Sequence, residues 1–289
     1  MTNLFPQLVK RIEDTTALDD VSRPLAGLAG RATRPDPVKS ALSGTWVGHQ
    51  LHPILTDLPI GAWVMASALD WTAGRTGASA ARRLIGLGVV AALPAAATGA
   101  SDWSETYAAE QRVGVVHAVS NLTGTALQAC SWLARRRGRR LTGMALSTTG
   151  LGVTLGAAYL GGHLSFVRGV GVNHTAFEPT VTEWADVAAL SELTADKPVR
   201  VSAGGVPVML VLHDGAVRAL SATCVHAGGP LDEGEILDGC VRCPWHSSRF
   251  ALADGKVLRG PASTDEPAWD VRVDDGRVHV RSATPQSES

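Results

Sequence analysis

The chain has 289 residues, a formal net charge of −1 and 18% charged residues, which leaves room for two domains and gives no reason to expect a nucleic-acid partner. Four cysteines in that length exclude a disulfide-knitted scaffold. The totals average over two unlike halves: His49 to Arg168 holds 5 acidic and 10 basic residues, whereas Thr180 to Ala283 holds 15 acidic and 10 basic.

Residues 1–47 are polar, carry several prolines and contain no long apolar run, so they are expected to form a soluble arm with at most one short helix. No apolar core precedes Lys10, Arg11, Glu13 and Asp14, so no signal peptide is expected.

Uncharged stretches follow: 18 residues over Leu84–Ser101, 22 over Val113–Ala134 and 27 over Leu141–Val167. A helix needs about 20 apolar residues to cross a bilayer, so each is a candidate span. Pro53–Ala73 is a weaker fourth, interrupted by Asp57 and Asp70. Four such stretches joined by short Arg-rich connections fit a membrane bundle over residues 48–170 better than buried helices of a water-soluble domain. Gly86, Gly88, Gly150, Gly152 and Gly156 suit close helix approach in lipid. Pro94 is expected to kink its helix. Cys130, inside an apolar run, is expected to be a small buried hydrophobe.

A short linker, 171–179, leads to a different pattern over 180–283. Val181–Trp184, Val199–Val201, Val206–His213, Ala216–Leu220, Cys240–Arg242, Arg249–Ala251 and Val278–Arg281 are strand-like runs. Asp-Gly pairs at 214–215, 254–255 and 275–276 supply hairpin turns. Short strands at close spacing predict a small antiparallel β domain, with a short tail at 284–289.

Two boxes in that domain carry chemistry: Cys224-Val-His226-Ala-Gly-Gly-Pro-Leu231 and Cys243-Pro-Trp-His246-Ser-Ser-Arg-Phe250, with sixteen residues between His226 and Cys243. Two thiolates and two neutral imidazoles suit a [2Fe–2S] cluster in which one iron takes both sulfurs and the other both rings. Gly228 and Gly229 would let the backbone approach the sulfides, while Pro230 and Pro244 would stiffen the loops. Two Cys and two His also suit tetrahedral zinc, but the C-x-H and C-x-x-H order departs from finger spacing. Cys240, three residues before Cys243, reads as a strand residue.

These boxes, with Trp184-Ala-Asp-Val-Ala-Ala-Leu190 and Ala268-Trp-Asp-Val-Arg-Val273, resemble the Rieske ferredoxin family over about residues 180–283. The resemblance implies an antiparallel β domain bearing the cluster at an exposed tip, ligated by Cys224, His226, Cys243 and His246. Gly229, Pro230, Pro244, Trp245 and Ser248 would surround it. The respiratory members carry a loop disulfide at the positions of Gly229 and Trp245, and a Tyr at the position of Phe250. Losing a hydrogen bond to the cluster lowers its potential, so the lower part of the Rieske range of roughly −150 to +300 mV is expected.

Residues 48–170 resemble an uncharacterised family of bacterial four-helix membrane domains (DUF2231-like), through Gly48-His-Gln-Leu-His-Pro-Ile-Leu-Thr-Asp-Leu-Pro-Ile-Gly61 and Tyr159-Leu-Gly-Gly-His-Leu164. Members often have a His where this chain has Asp57. With four spans, His49, His52, His117 and His163 fall on one membrane face. Ionisable residues at membrane depth are costly and usually functional. Two of His52, His117 and His163 are candidate ligands of a b-type haem, and His52 with Asp57 a candidate quinone site; interfacial or hydrogen-bonded histidines are the plainer alternative.

Arg75, Arg82, Arg83, Arg135, Arg136, Arg137, Arg139 and Arg140 give 8 cations on one side of the spans, against 5 on the other (Arg31, Arg34, Lys39, Arg112, Arg168). The positive-inside rule then leans the cluster domain outward, at a bacterial plasma membrane. Arg139-Arg140 resembles a twin-arginine signal. The whole is expected to be an all-α four-helix transmembrane bundle followed by an all-β antiparallel Rieske domain. Its expected function is a membrane-anchored electron carrier working with redox partner proteins and lipid, without a catalytic site of its own. Alternatives are the electron-input component of a Rieske oxygenase system and a membrane redox sensor. Outside the cluster, His174, His213 and His279 form no His-x-x-x-His pattern, against a mononuclear iron site on this chain.

Overall fold

The computed structural model describes residues 4–283, so the tail 284–289 lies outside the described residues. It divides into two compact units, one made of residues up to Arg34 with Leu51–Val170, the other of Pro35–Gln50 with Gly171 onward.

The first unit is helical. α1 (Leu4–Asp14) and α2 (Asp19–Thr33) precede four long helices, α4 (Leu51–Thr72), α5 (Ala78–Trp103), α6 (Ala108–Arg136) and α7 (Arg140–Phe166). The segment expected to be a polar arm is therefore helical, and includes α3 (Asp36–Ser43), which belongs to the second unit. Its prolines mislead: Pro6 and Pro37 sit in first helical turns, where a missing N–H costs nothing.

Close helix contacts explain part of the glycine content. A Cβ on Gly88 would lie 2.3 Å from Trp63 Nε1, and one on Gly150 would lie 3.0 Å from the Gly124 carbonyl. Gly152 and Gly156, by contrast, face open space. The interior is polar: Gln128 Nε2 donates to the Ser147 carbonyl (3.1 Å) and the Ser147 hydroxyl to Gln128 Oε1 (2.9 Å), and Arg135 forks onto Asp70. Cys130 is exposed, not buried as expected, because its side of α6 faces outward. Among the described residues one helix, α5, is long and apolar enough to cross a membrane (mean hydropathy 1.7 in its best window). The other three fall short because acids interrupt α4 and Ser, Thr, Gly, Asn and Gln dilute α6 and α7.

The second unit carries ten strands: β1 (Ala185–Ala189), β2 (Val199–Ala203), β3 (Val206–His213), β4 (Ala216–Ser221), β5 (Glu235–Leu237), β6 (Cys240–Arg242), β7 (Arg249–Ala251), β8 (Val257–Arg259), β9 (Trp269–Asp274) and β10 (Arg277–Ser282). They form antiparallel sheets in the orders β1-β10-β9, β2-β3-β4 and β5-β6-β7-β8. The first strand is displaced from the expected Val181–Trp184 because β1 takes its register from β10, with Ala185 opposite Val280. Asp214-Gly215, Asp238-Gly239 and Asp275-Gly276 all have positive φ at both residues, as the tight turn matching strand twist requires.

β3 reads as one apolar run because both its faces are buried. Val206, Val208 and Leu210 join a core with Trp269, Val278 and Val280. Met209 and Val211 join a second core with Leu220, Leu231, Val241 and Phe250, and this one includes Cys224 and Cys243. The two metal-type boxes thus rest on a packed apolar floor.

Candidate metal centre

The two boxes form loops of matching geometry. In the first, after β4, the Cys224 N–H donates to the Gly229 carbonyl (2.8 Å) and the Gly228 N–H to the Cys224 carbonyl (2.9 Å). In the second, between β6 and β7, the Cys243 N–H donates to the Ser248 carbonyl (2.9 Å) and the Ser247 N–H to the Cys243 carbonyl (3.1 Å). The offsets from the cysteine are identical, and so is the place of the left-handed residue: Gly228 at φ +76° and Ser247 at φ +61°. Glycine takes that conformation freely, whereas the serine is held there against its preference.

The loops bring all four sequence-derived donors together. Cys224 and Cys243 share a sulfur–sulfur hydrogen bond, and the rings of His226 and His246 stand 5.0 Å apart and nearly perpendicular. Sulfur faces sulfur and imidazole faces imidazole. The bond from Cys224 and the backbone N–H groups of Trp245 and His246 hold the Cys243 thiol down to about 7. Cys224 is pushed up by the same shared bond and by burial. Burial, then the neighbouring His246, lowers His226 to about 3, so its ring is neutral, as a metal ligand must be.

A two-plus-two set, sulfurs paired and imidazoles paired, fits a two-iron group.

The surroundings explain two departures from the respiratory pattern. A Cβ on Gly229 would stand 3.0 Å from Cys243 Sγ and 3.1 Å from the Trp245 ring, so the indole covers a position with no room for a side chain. All four cysteines are free. Phe250 is fully buried in the apolar floor. The Ser248 hydroxyl, also fully buried, accepts the Ala262 N–H at 3.0 Å. Pro230 bridges back to Thr223, and Pro244 is exposed beside Trp245. Cys240 lies in β6, its thiol donating to the Leu237 carbonyl at 2.9 Å.

Several residues near the loops have no local signature. Glu266, 2% exposed, accepts the N–H of Val225, between Cys224 and His226, at 3.0 Å through Oε2; its Oε1 has no partner. Burial raises its carboxyl well above the usual range, with the Val225 N–H opposing. His174 donates its backbone N–H to the Val225 carbonyl at 3.0 Å. Arg259 donates to the carbonyls of Ser247 (2.9 Å) and Gly260 (2.7 Å). Arg259 in turn, through its hydrogen bond, holds the Asp36 carboxyl below its ordinary range.

In the helical unit the candidate histidines separate. His52 and His117 approach, ring centroids 6.4 Å apart. The Nδ1 of His52 lies 2.9 Å from the Ala95 carbonyl, and that of His117 2.8 Å from the Ala157 carbonyl. His163 instead meets Glu13 of α1 at 3.0 Å. Asp57 is exposed on α4, and His49, which belongs to the second unit, is exposed and bonds the neighbouring Gln50 carbonyl.

A family model described as Rieske [2Fe-2S] domain matches residues 183–275, and one described as Predicted membrane protein (DUF2231) matches residues 48–174. The chain is similar to the anthranilate 1,2-dioxygenase ferredoxin subunit of Burkholderia cepacia, 31% identical over 103 residues that cover 36% of this chain and 95% of the relative. It is similar to a Rieske domain-containing protein of Homo sapiens, 30% identical over 126 residues, 37% of this chain and 80% of the relative. Among solved structures, the ferredoxin of carbazole 1,9a-dioxygenase from Nocardioides aromaticivorans IC177 is 30% identical, with a TM-score of 0.34, over 35% of this chain and 100% of that one. The chain therefore belongs to the Rieske [2Fe-2S] domain family, carries a Rieske-type cluster, and joins that domain to a membrane region of the DUF2231 kind.

Proposed function

We propose that this protein is a membrane-anchored one-electron carrier in which Cys224 and Cys243 hold one iron of the cluster and His226 and His246 the other. The observation that carries this reading is the convergence of two geometrically equivalent loops, each contributing one thiol and one imidazole. The bound cluster supplies reversible one-electron chemistry. The chain's own residues do the rest: backbone N–H groups of His226, Trp245 and His246 point at the sulfurs, and the apolar floor excludes water beneath them. In this reading electrons pass between redox partner proteins. The likeness to a dioxygenase ferredoxin subunit favours an oxygenase component as one such partner; a membrane redox sensor is the other use of the same parts.

All four long helices span the bilayer in this reading. Its support is their polar interior and apolar exterior: Gln128 and Ser131 are fully buried, while Leu87, Leu93 and Leu122 are exposed. The 8 cations in the α4–α5 and α6–α7 connections and the helix turns beside them orient those connections to the cytoplasm and the Rieske domain outward. A second reading extends the electron path. His52 and His117 each have Nδ1 against a backbone carbonyl, which leaves Nε2 as the basic nitrogen, the arrangement of metal-bound histidine. Their separation suits the two axial ligands of a b-type haem; the His117 Nε2 contact with Asn121 (3.1 Å) would have to give way. Quinone beside His52 is the alternative occupant of that end.

Purification in detergent with iron, sulfide and haem analysis and EPR of the reduced form tests the proposal. The expected result is about two irons per chain and a Rieske-type signal lost in His226→Ala. Iron well below that, or a signal indifferent to His226→Ala, removes the central reading. A Soret band lost in His117→Ala supports the haem; no Soret band removes it alone.

A further inference from the structure

We infer that α3 and its flanks, residues 35–50, are a working part of the cluster domain: Asp36 and Arg259 are positioning residues for the second cluster loop. The family match to the β domain begins at residue 183, about one hundred and forty residues downstream, yet Pro35–Gln50 packs with that domain as one unit. This rests on the assignment of His226 and His246 as cluster ligands.

The contacts are specific. Arg259 Nε donates to Asp36 Oδ1 at 2.6 Å, and its Nη1 reaches the carbonyls of Ser247 and Gly260 and, at 3.4 Å, that of His246. One guanidinium thus joins α3 to the backbone that carries a ligand. Asp36 also pairs with Arg249, the first residue of β7 on the far side of the same loop. Ser40 Oγ accepts the Gly260 N–H (3.3 Å), and the Thr45 hydroxyl donates to the Ala262 carbonyl (3.4 Å). Ala262 N–H is the group bonded to the Ser248 hydroxyl. A Cβ on Gly260 would stand 3.1 Å from Ser43. The segment therefore holds both ends of the turn that Ser247 makes at positive φ, a conformation that needs such support.

The test uses the full chain in detergent, with wild type, Asp36→Asn and Asp36→Glu. Iron content and the reduced EPR signal are read first, then hydrogen exchange of residues 243–248. Asp36→Asn is expected to keep its iron, to alter the EPR line shape and to speed amide exchange in the loop roughly tenfold, since each 1.4 kcal/mol is a factor of ten, with Asp36→Glu close to wild type. If loop exchange and the EPR line shape are unchanged in Asp36→Asn, the positioning role is overturned. A wild type without iron or Rieske signal overturns the ligand assignment itself, and this inference with it.

Discussion

The two units sort their side chains in opposite senses. In the helical unit Gln128 and Ser131 are fully buried and Asp70 is 5% exposed, while Leu122, Leu93 and Leu87 stand outside at 71, 67 and 64%. In the β unit Met209, Leu210 and Val211 are fully buried, and charges such as Arg277 with Asp186 pair at the surface. Apolar burial drives the second arrangement, because water is the alternative. In the proposed reading it does not drive the first: a Leu gains nothing by leaving a lipid-like surrounding, so the interior is left to small residues and hydrogen-bonded polar groups. One chain thus carries two opposite patterns, and each fits the solvent proposed for it.

The largest expected effect separates the units. Cys243→Ser is expected to abolish the Rieske EPR signal and most of the bound iron while leaving the helical unit's circular dichroism and membrane fraction unchanged. Joint collapse would mean that the two units fold as one. Next in size is the buried ion pair of Asp70 and Arg135, each 3% exposed at the side chain. Asp70→Ala leaves the guanidinium unpaired and is expected to cost about 3–5 kcal/mol, read as a large drop in the detergent melting temperature with the cluster signal intact. Replacing both partners with Leu and Met should recover most of it. A melt as low as that of the single variant would show the pair to be more than charge compensation.

Much of this was legible beforehand, for physical reasons that differ by element. The two Cys–His loops were readable because Cys and His at that spacing have few other uses. β3 was readable because its two-sided burial writes a continuous apolar run. The helices α5–α7 were readable because charge is absent over lengths that few other structures need, and α4 because only Asp57 and Asp70 interrupt its apolar run. β5 and β8 were not, since three residues show no periodicity. α1–α3 were missed because their prolines resemble breaks and their apolar residues are sparse. Asp36 and Glu266 could not be found at all: each makes its contact with a partner far away in sequence, and nothing around them marks it.

A sharper test of the solvent difference places the same charge on both exteriors. Leu122 is the central residue of α6, and Leu258 in β8 is exposed at 55%. Lys at a span centre costs about 3 kcal/mol in membrane insertion, whereas exposed substitutions on a water-facing surface change stability by about 0.5 kcal/mol or less. Leu122→Lys is expected to lower the membrane-inserted fraction in a glycosylation-mapping assay, and Leu258→Lys to leave the melting temperature where it was. Equal insertion of Leu122→Lys and wild type would place water, not lipid, around the helices.

The smallest effect concerns an ion pair of the β unit. His213 Nδ1 lies 2.6 Å from Asp196 Oδ1 at the end of β3. That hydrogen bond, reinforced by the charges of Asp214 and Asp196 and opposed by some desolvation, raises the imidazole above its ordinary value. A raised folded value means that the protonated form binds its partner only in the folded protein. The stabilisation is therefore complete below the ordinary His value of about 6.5, and is lost as pH rises through the elevated one. His213→Gln should flatten that part of the pH–stability curve while leaving the acid limb in place. Titration of the His213 ring by NMR at or below the ordinary value would remove this pair from the account, and with it the claim that the β unit's surface charges carry any of its pH dependence.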